Sequence, residues 1–116
     1  MTRFGDYIRR RRQRLEKTSG RYSVRQVAGR LGVEPSYLSK VERGQSAPPS
    51  ESTTRRLARE LEEDSDVLLA LAGKVSSDLQ AVIRKRPQLF AELIRELKDL
   101  PNDAVVRIVR EARDRS

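Results

Sequence analysis

Two short helical segments joined through a glycine, residues 23–44, constrain the fold of this chain more than any other feature. In SVRQVAGRLGVEPSYLSKVERG, apolar residues recur at helical spacing on both sides of the glycine. Ser23 can cap the first segment, and Gly32 can end it because glycine adopts the left-handed conformation readily. The second segment begins at Pro35 and stops at Gly44, after which two prolines prevent a further turn. The pattern predicts two helices joined by a tight turn.

Residue types inside this pair explain how the two helices can pack. Ala28 is small enough to allow a close approach, and Gly32 suits the turn between the helices. Leu38 and Val41 can bury one side of the second helix against the first. A small residue, a glycine at the turn and buried apolar residues at these positions are typical of a helix-turn-helix.

The rest of the chain shows the same helical periodicity and no alternation of period two, so we predict an all-α protein. About five helices precede Gly73, and two or three follow it. Ser50 is predicted to cap the fourth helix and Asn102 the last one. The second helix of the central pair is predicted over 35–43, and the helices around the pair over 3–16, 51–63 and 66–72.

Positive charge is concentrated in the first half of the chain. Residues 1–63 hold 15 Lys and Arg against 8 Asp and Glu, whereas residues 64–116 hold 10 against 9. This split indicates a polyanion as the partner of the first half and a different task for the second. Attachment to a membrane surface would need a strongly apolar helical face, which the first half lacks. The charge therefore favours nucleic acid.

The chain contains no cysteine and no histidine. Disulfides, thiolate or imidazole metal sites, cysteine nucleophiles and the usual general base are therefore excluded. No acidic residues cluster at ligand spacing, and no pair of carboxylates is set up for catalysis. We expect no enzyme, no metal and no cofactor. Because the start MTRFGDYIRR is charged, we expect no signal peptide, and we expect no membrane span because no apolar run approaches the required ~20 residues. The expected location is the cytoplasm.

The predicted helix 35–43 has two different faces. At about 100° per residue, its inward direction lies midway between Leu38 and Val41, and Tyr37 and Glu42 lie at the rims. Hydroxyls and cations on the outward face suit close approach to the base edges and phosphates of DNA, although a simply solvated face is the alternative. The residues within about 60° of the outward direction are Ser36, Ser39, Lys40 and Arg43.

The residues SVRQVAGRLGVEPSYLSKVERGQSAPPSESTTRRLARELEED, preceded by FGDYIRRRRQRL, resemble the Xre family of helix-turn-helix domains, which includes phage repressors and Cro. The resemblance covers about residues 3–73 and implies a five-helix domain that places helix 35–43 in the major groove, usually as a dimer. The base-reading residues that it implies are Pro35, Ser36, Tyr37, Ser39 and Lys40, with Pro35 directed to a thymine methyl group. The implied phosphate contacts are Arg43, Gln45 and Ser46.

The resemblance to this family also includes residues outside helix 35–43. The family often begins its second helix with a phosphate-binding Gln, whereas this chain has Val24, so Ser23 or Arg25 is expected to take over that contact. Arg12 matches a family Arg that pairs with a Glu near the end of the third helix, here Glu42. The alternative for Arg12 is a solvated side chain.

The segments after Gly73 carry wide apolar stripes and little net charge. We predict that residues 74–116 form a dimerisation element after a DNA-binding domain of residues 1–73. A larger monomer core and a surface for a second protein, such as a toxin or a protease, are the alternatives. The predicted dimerisation residues are Leu89, Phe90, Leu93, Ile94, Leu97, Val105, Ile108 and Val109.

These features together predict a sequence-specific transcriptional regulator that binds double-stranded DNA. The favoured form is a homodimeric repressor of a palindromic operator, because one short recognition helix contacts too few base pairs to select a site. The alternative is the antitoxin of a toxin–antitoxin module, which neutralises a partner protein and represses its own operon.

Overall fold

The computed structural model describes residues 3–115, which form eight helices and no strand and so confirm the all-α prediction. The helices belong to two compact units, the first ending at Ser76 and the second beginning at Ser77. The first unit contains α1 (Arg3–Thr18), α2 (Val24–Leu31), α3 (Pro35–Glu42), α4 (Glu51–Glu60) and α5 (Ser65–Leu71). The second contains α6 (Ser77–Lys85), α7 (Pro87–Leu97) and α8 (Asn102–Asp114).

The start and end of α2 follow from neighbouring residues. The Ser23 Oγ accepts a hydrogen bond from the Gln26 N–H, and the Gln26 side chain accepts one from the Ser23 N–H, both at 3.1 Å. This capping box satisfies backbone donors that the first turn leaves free. Gly32 has φ +74°, and the Val33 N–H donates to the Ala28 carbonyl at 3.0 Å. The predicted cap at Ser23 and the predicted end at Gly32 are confirmed.

The end of α4 uses the same left-handed turn, but without a glycine. Glu62 has φ 57°, and the Glu63 N–H donates to the Ala58 carbonyl at 2.8 Å. A residue with a side chain pays roughly 1–2 kcal/mol for this conformation. The Arg11 Nε donates to the Leu61 carbonyl at 2.9 Å, so α1 binds this turn directly.

The core of the first unit is built from the inner faces of its helices. Leu38 and Val41 of α3 are each 2% exposed, and they hold the inner side of that helix in the core. Full burial of an aliphatic side chain of this size contributes roughly 1.5–3 kcal/mol, so α3 is fixed mainly through this face. The other buried members are Phe4, Ile8, Val27, Ala28, Leu31, Leu57, Ala58, Leu61 and Leu68.

The second unit has little interior of its own. In its described residues, 77–115, α6, α7 and α8 bury no side chain fully. Leu89 is 62% exposed, Val82 57% and Val109 50%, so much of their apolar surface is in contact with solvent. None of the described helices of the protein is both long enough and apolar enough to cross a membrane.

Several helix ends differ from the predicted ones. Asn102 is the first helical residue of α8 and not its cap, because Pro101, with φ −68°, occupies the cap position. The α1 helix continues to Thr18, whose hydroxyl donates to the Leu15 carbonyl at 3.2 Å. The α4 helix ends at Glu60, earlier than predicted, because the left-handed turn at Glu62 stops it.

We expect Glu62→Gly to raise the free energy of unfolding by about 1 kcal/mol, because glycine removes the cost of the left-handed conformation. The Glu62 side chain is 64% exposed and lies 3.9 Å from Arg11, so the loss of this ion pair should matter little. Urea denaturation measures the change. The control is Gln13→Gly within α1, which should lower stability by about 0.5–1 kcal/mol. An equal loss of stability in both variants would contradict a cost of the left-handed conformation at Glu62.

Candidate nucleic-acid interface

The predicted base-reading residues all lie on α3, on or beside its outer face. Ser36 and Lys40 are exposed and stand one helical turn apart. Pro35, Tyr37 and Ser39 are half-buried beside them. The inner face is closed by Leu38 and Val41, so only the outer side of this helix is open to a ligand.

Glu42 lies inside the protein, where it binds Arg12 of α1. The Arg12 Nε donates to the Glu42 Oε2 at 2.7 Å, and the Arg12 Nη2 donates to the Glu42 Oε1 at 2.9 Å. The two side chains are only 8% and 5% exposed. The hydrogen bonds with Glu42 raise the pKa of the Arg12 guanidinium above its ordinary value, although burial lowers it. This two-point contact fixes the last turn of α3 against α1.

The connection before α2 supplies a third partner for this ion pair. The Arg12 Nη1 donates to the Tyr22 carbonyl at 3.1 Å. The Arg30 guanidinium lies 5.5 Å from the centre of the Tyr22 ring, and its Nε donates to Glu60 at 2.7 Å. Tyr22 therefore links α1 to α2 and α4, a structural role that the sequence did not predict.

Gly5 allows α1 to lie directly on the end of α3. A Cβ atom at this position would come within 2.5 Å of the Val41 carbonyl oxygen and 2.6 Å of the Glu42 carbonyl oxygen. Such distances are far shorter than any normal contact, so only glycine fits without a shift of one helix. Sequence reasoning missed this residue, although a glycine inside a helical pattern often marks a close approach.

The predicted phosphate contacts lie at the two ends of the α2–α3 pair. Ser23 is half-buried and caps α2, and Arg25 is exposed in its first turn. After α3, Arg43 and Gln45 are exposed and Ser46 is half-buried. Within residues 3–115, no group of acidic side chains that could hold a metal ion is present.

Arg43 is already engaged by its neighbours. Its Nη1 donates to the Ser39 Oγ at 2.6 Å, and its Nε and Nη2 donate to the Gln45 Oε1 at 3.4 and 3.3 Å. The structure thus brings together three residues to which the resemblance assigned separate contacts.

A helix held by its inner face, joined by a tight turn to a preceding helix and bearing hydroxyls and cations outside, is the arrangement of helix-turn-helix DNA-binding proteins. The model of the family described as "Helix-turn-helix domain" matches residues 3–72, and the chain belongs to this family. It is accordingly a DNA-binding transcriptional regulator.

A solved structure gives a likeness over almost the whole chain. The structure described as a SinR protein/SinI protein complex matches with a TM-score of 0.50 and 21% identity, covering 97% of this chain and 96% of that chain. At this identity the likeness concerns the fold alone. A comparison with curated proteins gives no match.

We expect Glu42→Ala to lower both the melting temperature and the affinity for DNA. The substitution leaves the buried Arg12 guanidinium without its main partner, which typically costs about 3–5 kcal/mol. Thermal denaturation and DNA titration measure the two effects. Glu16→Ala is the control, because Glu16 lies 3.6 Å from Arg12 but is 45% exposed, and it should change stability by no more than about 0.5 kcal/mol. An unchanged melting temperature for Glu42→Ala would refute the structural role.

Gly5→Ala is expected to destabilise the protein by about 1–3 kcal/mol, because the added methyl group forces α1 away from the end of α3. Gly29→Ala is a matched control in α2, where a Cβ atom would meet nothing within 4 Å. That variant should gain about 0.5–1 kcal/mol from improved helix propensity. Urea denaturation of both variants checks the difference, and a gain for Gly5→Ala would show that the helices can separate at no cost.

Proposed function

We propose that the protein is a cytoplasmic repressor that binds a palindromic operator as a homodimer, with α3 of each copy in the major groove. The observation that carries this proposal is the two-sided character of α3. Its inner face is buried through Leu38 and Val41, whereas Ser36 and Lys40 on its outer side are exposed, as is Arg43 directly after it. A dimer bound across a promoter would repress transcription by occupying it.

The residues on and beside the outer face of α3 are proposed to read base edges. The Lys40 ammonium can donate to O6 and N7 of guanine, and Ser36 and Ser39 can donate to or accept from several bases. Pro35 is proposed to touch a thymine methyl group, and the half-buried Tyr37 to border the same base pairs. These contacts would supply specificity.

The proposed phosphate contacts lie on either side of these residues. Ser23 and Arg25 at the start of α2 would meet one stretch of backbone, and Arg43, Gln45 and Ser46 after α3 would meet another. Contacts of this kind position the protein on the duplex but carry no sequence information. They make the affinity depend on salt.

Dimerisation is proposed to use the exposed apolar residues of α7 and α8. On α7, Leu89, Leu93 and Ile94 are 62%, 49% and 47% exposed, and on α8 Ile108 and Val109 are 41% and 50% exposed. A second copy would remove this surface from water and supply the two-fold symmetry that a palindrome requires. Phe90, Leu97 and Val105, which are half-buried, complete the proposed surface.

A second candidate function rests on the same apolar residues. If a different protein covers α7 and α8, the chain would be an antitoxin that neutralises a toxin and represses its own operon, or the target of a partner protease. The likeness to a structure described as a complex of two different proteins supports a protein partner. Co-purification of a second protein with a monomeric chain would favour this candidate over the homodimer.

Selection of bound sequences from random duplex DNA tests the main proposal. We expect a palindrome whose half-sites lie about one helical turn apart, roughly 10 base pairs. No enrichment would refute specific DNA recognition, and enrichment of an unrepeated site would refute the two-fold dimer.

Lys40→Ala should weaken operator binding by about 1–3 kcal/mol and nonspecific DNA binding much less, since a contact to a base edge distinguishes sequences. The comparison variant is Arg25→Ala, which should weaken both kinds of binding and reduce the slope of log affinity against log salt by about one. Titrations of operator and unrelated DNA at several salt concentrations measure these effects. Equal losses of Lys40→Ala on both duplexes would make Lys40 a phosphate contact.

The double variant Leu89→Glu, Leu93→Glu should be monomeric by light scattering and should bind a half-site and the whole palindrome with similar affinity. Charged side chains at the centre of an apolar interface are strongly disfavoured. Gln88→Glu combined with Lys98→Gln changes the charge equally at two exposed polar positions and should stay dimeric. A dimer in both cases would place the interface elsewhere.

A further inference from the structure

The last turn of α3 and the residue after Gly44 form one hydrogen-bonded group. Its centre is the Arg43 guanidinium, which donates to the Ser39 Oγ at 2.6 Å and to the Gln45 Oε1 at 3.3 and 3.4 Å. Ser39 and Arg43 are four residues apart in sequence, so their side chains are neighbours on one side of the helix. The short distance to Ser39 is typical of a charge-assisted hydrogen bond.

The backbone turn that ends α3 determines where Gln45 lies. Gly44 has φ +74°, and its N–H donates to the Val41 carbonyl at 3.1 Å. The Gln45 N–H donates to the Lys40 carbonyl at 2.8 Å. These two bonds turn the chain back over the last turn of the helix. The Gln45 amide oxygen is thereby placed where it can accept from Arg43 and hold the guanidinium beside Ser39.

The position of Arg43 changes what the Ser39 hydroxyl can bind. A hydroxyl has one proton and two lone pairs, and the guanidinium occupies one of the lone pairs. The proton stays available for donation, and the nearby positive charge favours an acceptor such as N7 or O6 of guanine. An amino group such as N4 of cytosine would compete with Arg43 for the hydroxyl oxygen and would bring its hydrogens towards a cation.

We propose that Arg43 and Gln45 hold Ser39 as a hydrogen-bond donor, so that α3 selects a base acceptor at the base pair facing Ser39. This inference rests on the proposed function, because it requires α3 to lie in the major groove. Arg43 is then a positioning residue for Ser39 as well as a phosphate contact. Three of the five N–H groups of its guanidinium bind Ser39 and Gln45, and the other two are free for a phosphate.

Selection from random duplex DNA with the 116-residue chain and its variants tests the inference. The wild type should enrich a base with a major-groove acceptor at one position of each half-site. Ser39→Ala and Arg43→Ala should both lose the preference at that same position, and Gln45→Ala should weaken it there. Arg10→Ala is the control for charge, because Arg10 is exposed and lies about 160° around α1 from Arg12. This control should keep the preference.

Titration of two duplexes then measures the size of the effect. One carries the selected base, and the other carries cytosine in its place. The wild type should discriminate between them by about five- to tenfold, the equivalent of one net hydrogen bond. Ser39→Ala and Arg43→Ala should discriminate by less than about twofold. Circular dichroism melting confirms that each variant is folded before it is titrated.

The outcomes separate the inference from the proposed function. If Arg43→Ala binds every sequence more weakly but keeps the wild-type preference, Arg43 contacts phosphate only and the inference is wrong, while specific DNA recognition stands. Loss of the preference at different positions in Ser39→Ala and Arg43→Ala would also overturn the inference. If the wild type enriches no sequence, the proposed function fails and the inference fails with it.

Discussion

The buried ion pair between Arg12 and Glu42 is the interaction on which the arrangement of the first unit depends. The two charged groups lose much of their hydration there. Two mutual hydrogen bonds and a third from Arg12 to the Tyr22 carbonyl replace the lost hydrogen bonds with water. A buried pair of this kind contributes little net stability compared with apolar residues, but it is strongly directional. Its effect is to set the position of the last turn of α3, because Glu42 belongs to that turn and Arg12 to the middle of α1.

The close contact at Gly5 and the turn at Gly44 extend this constraint to the outer surface. Gly5 lets α1 rest on the final carbonyl groups of α3, where any side chain would force the two helices apart. The turn at Gly44 returns Gln45 to Arg43, and Arg43 in turn binds Ser39. The inner contacts fix the helix, and the outer contacts orient side chains in advance. A surface prepared in this way loses less entropy when it binds a ligand.

The second unit differs from the first in the burial of its side chains and in its charge. Its helices are amphipathic, yet none of their described residues is fully buried, and large apolar side chains such as Leu89 and Val109 remain at least half exposed. Its charges nearly balance, whereas the excess of Lys and Arg lies in the residues before it. An apolar and nearly neutral surface suits a protein partner, and a basic surface suits a polyanion. The proposed homodimer would use both properties in one molecule.

Most of the fold could be predicted from the sequence, because helix periodicity, caps and glycine turns depend on residues close together in the chain. Ser23, Gly32 and Gly44 act within a few residues of their partners, and even the wrong prediction at Asn102 missed the start of α8 by one position. The outward side of α3 followed in the same way from the spacing of Leu38 and Val41. The pairing of Arg12 with Glu42 was suggested only by resemblance to a family. The need for glycine at position 5 and the role of Tyr22 were decided by the tertiary structure alone. These contacts depend on how closely separate helices approach one another, and no local pattern of residues encodes that distance.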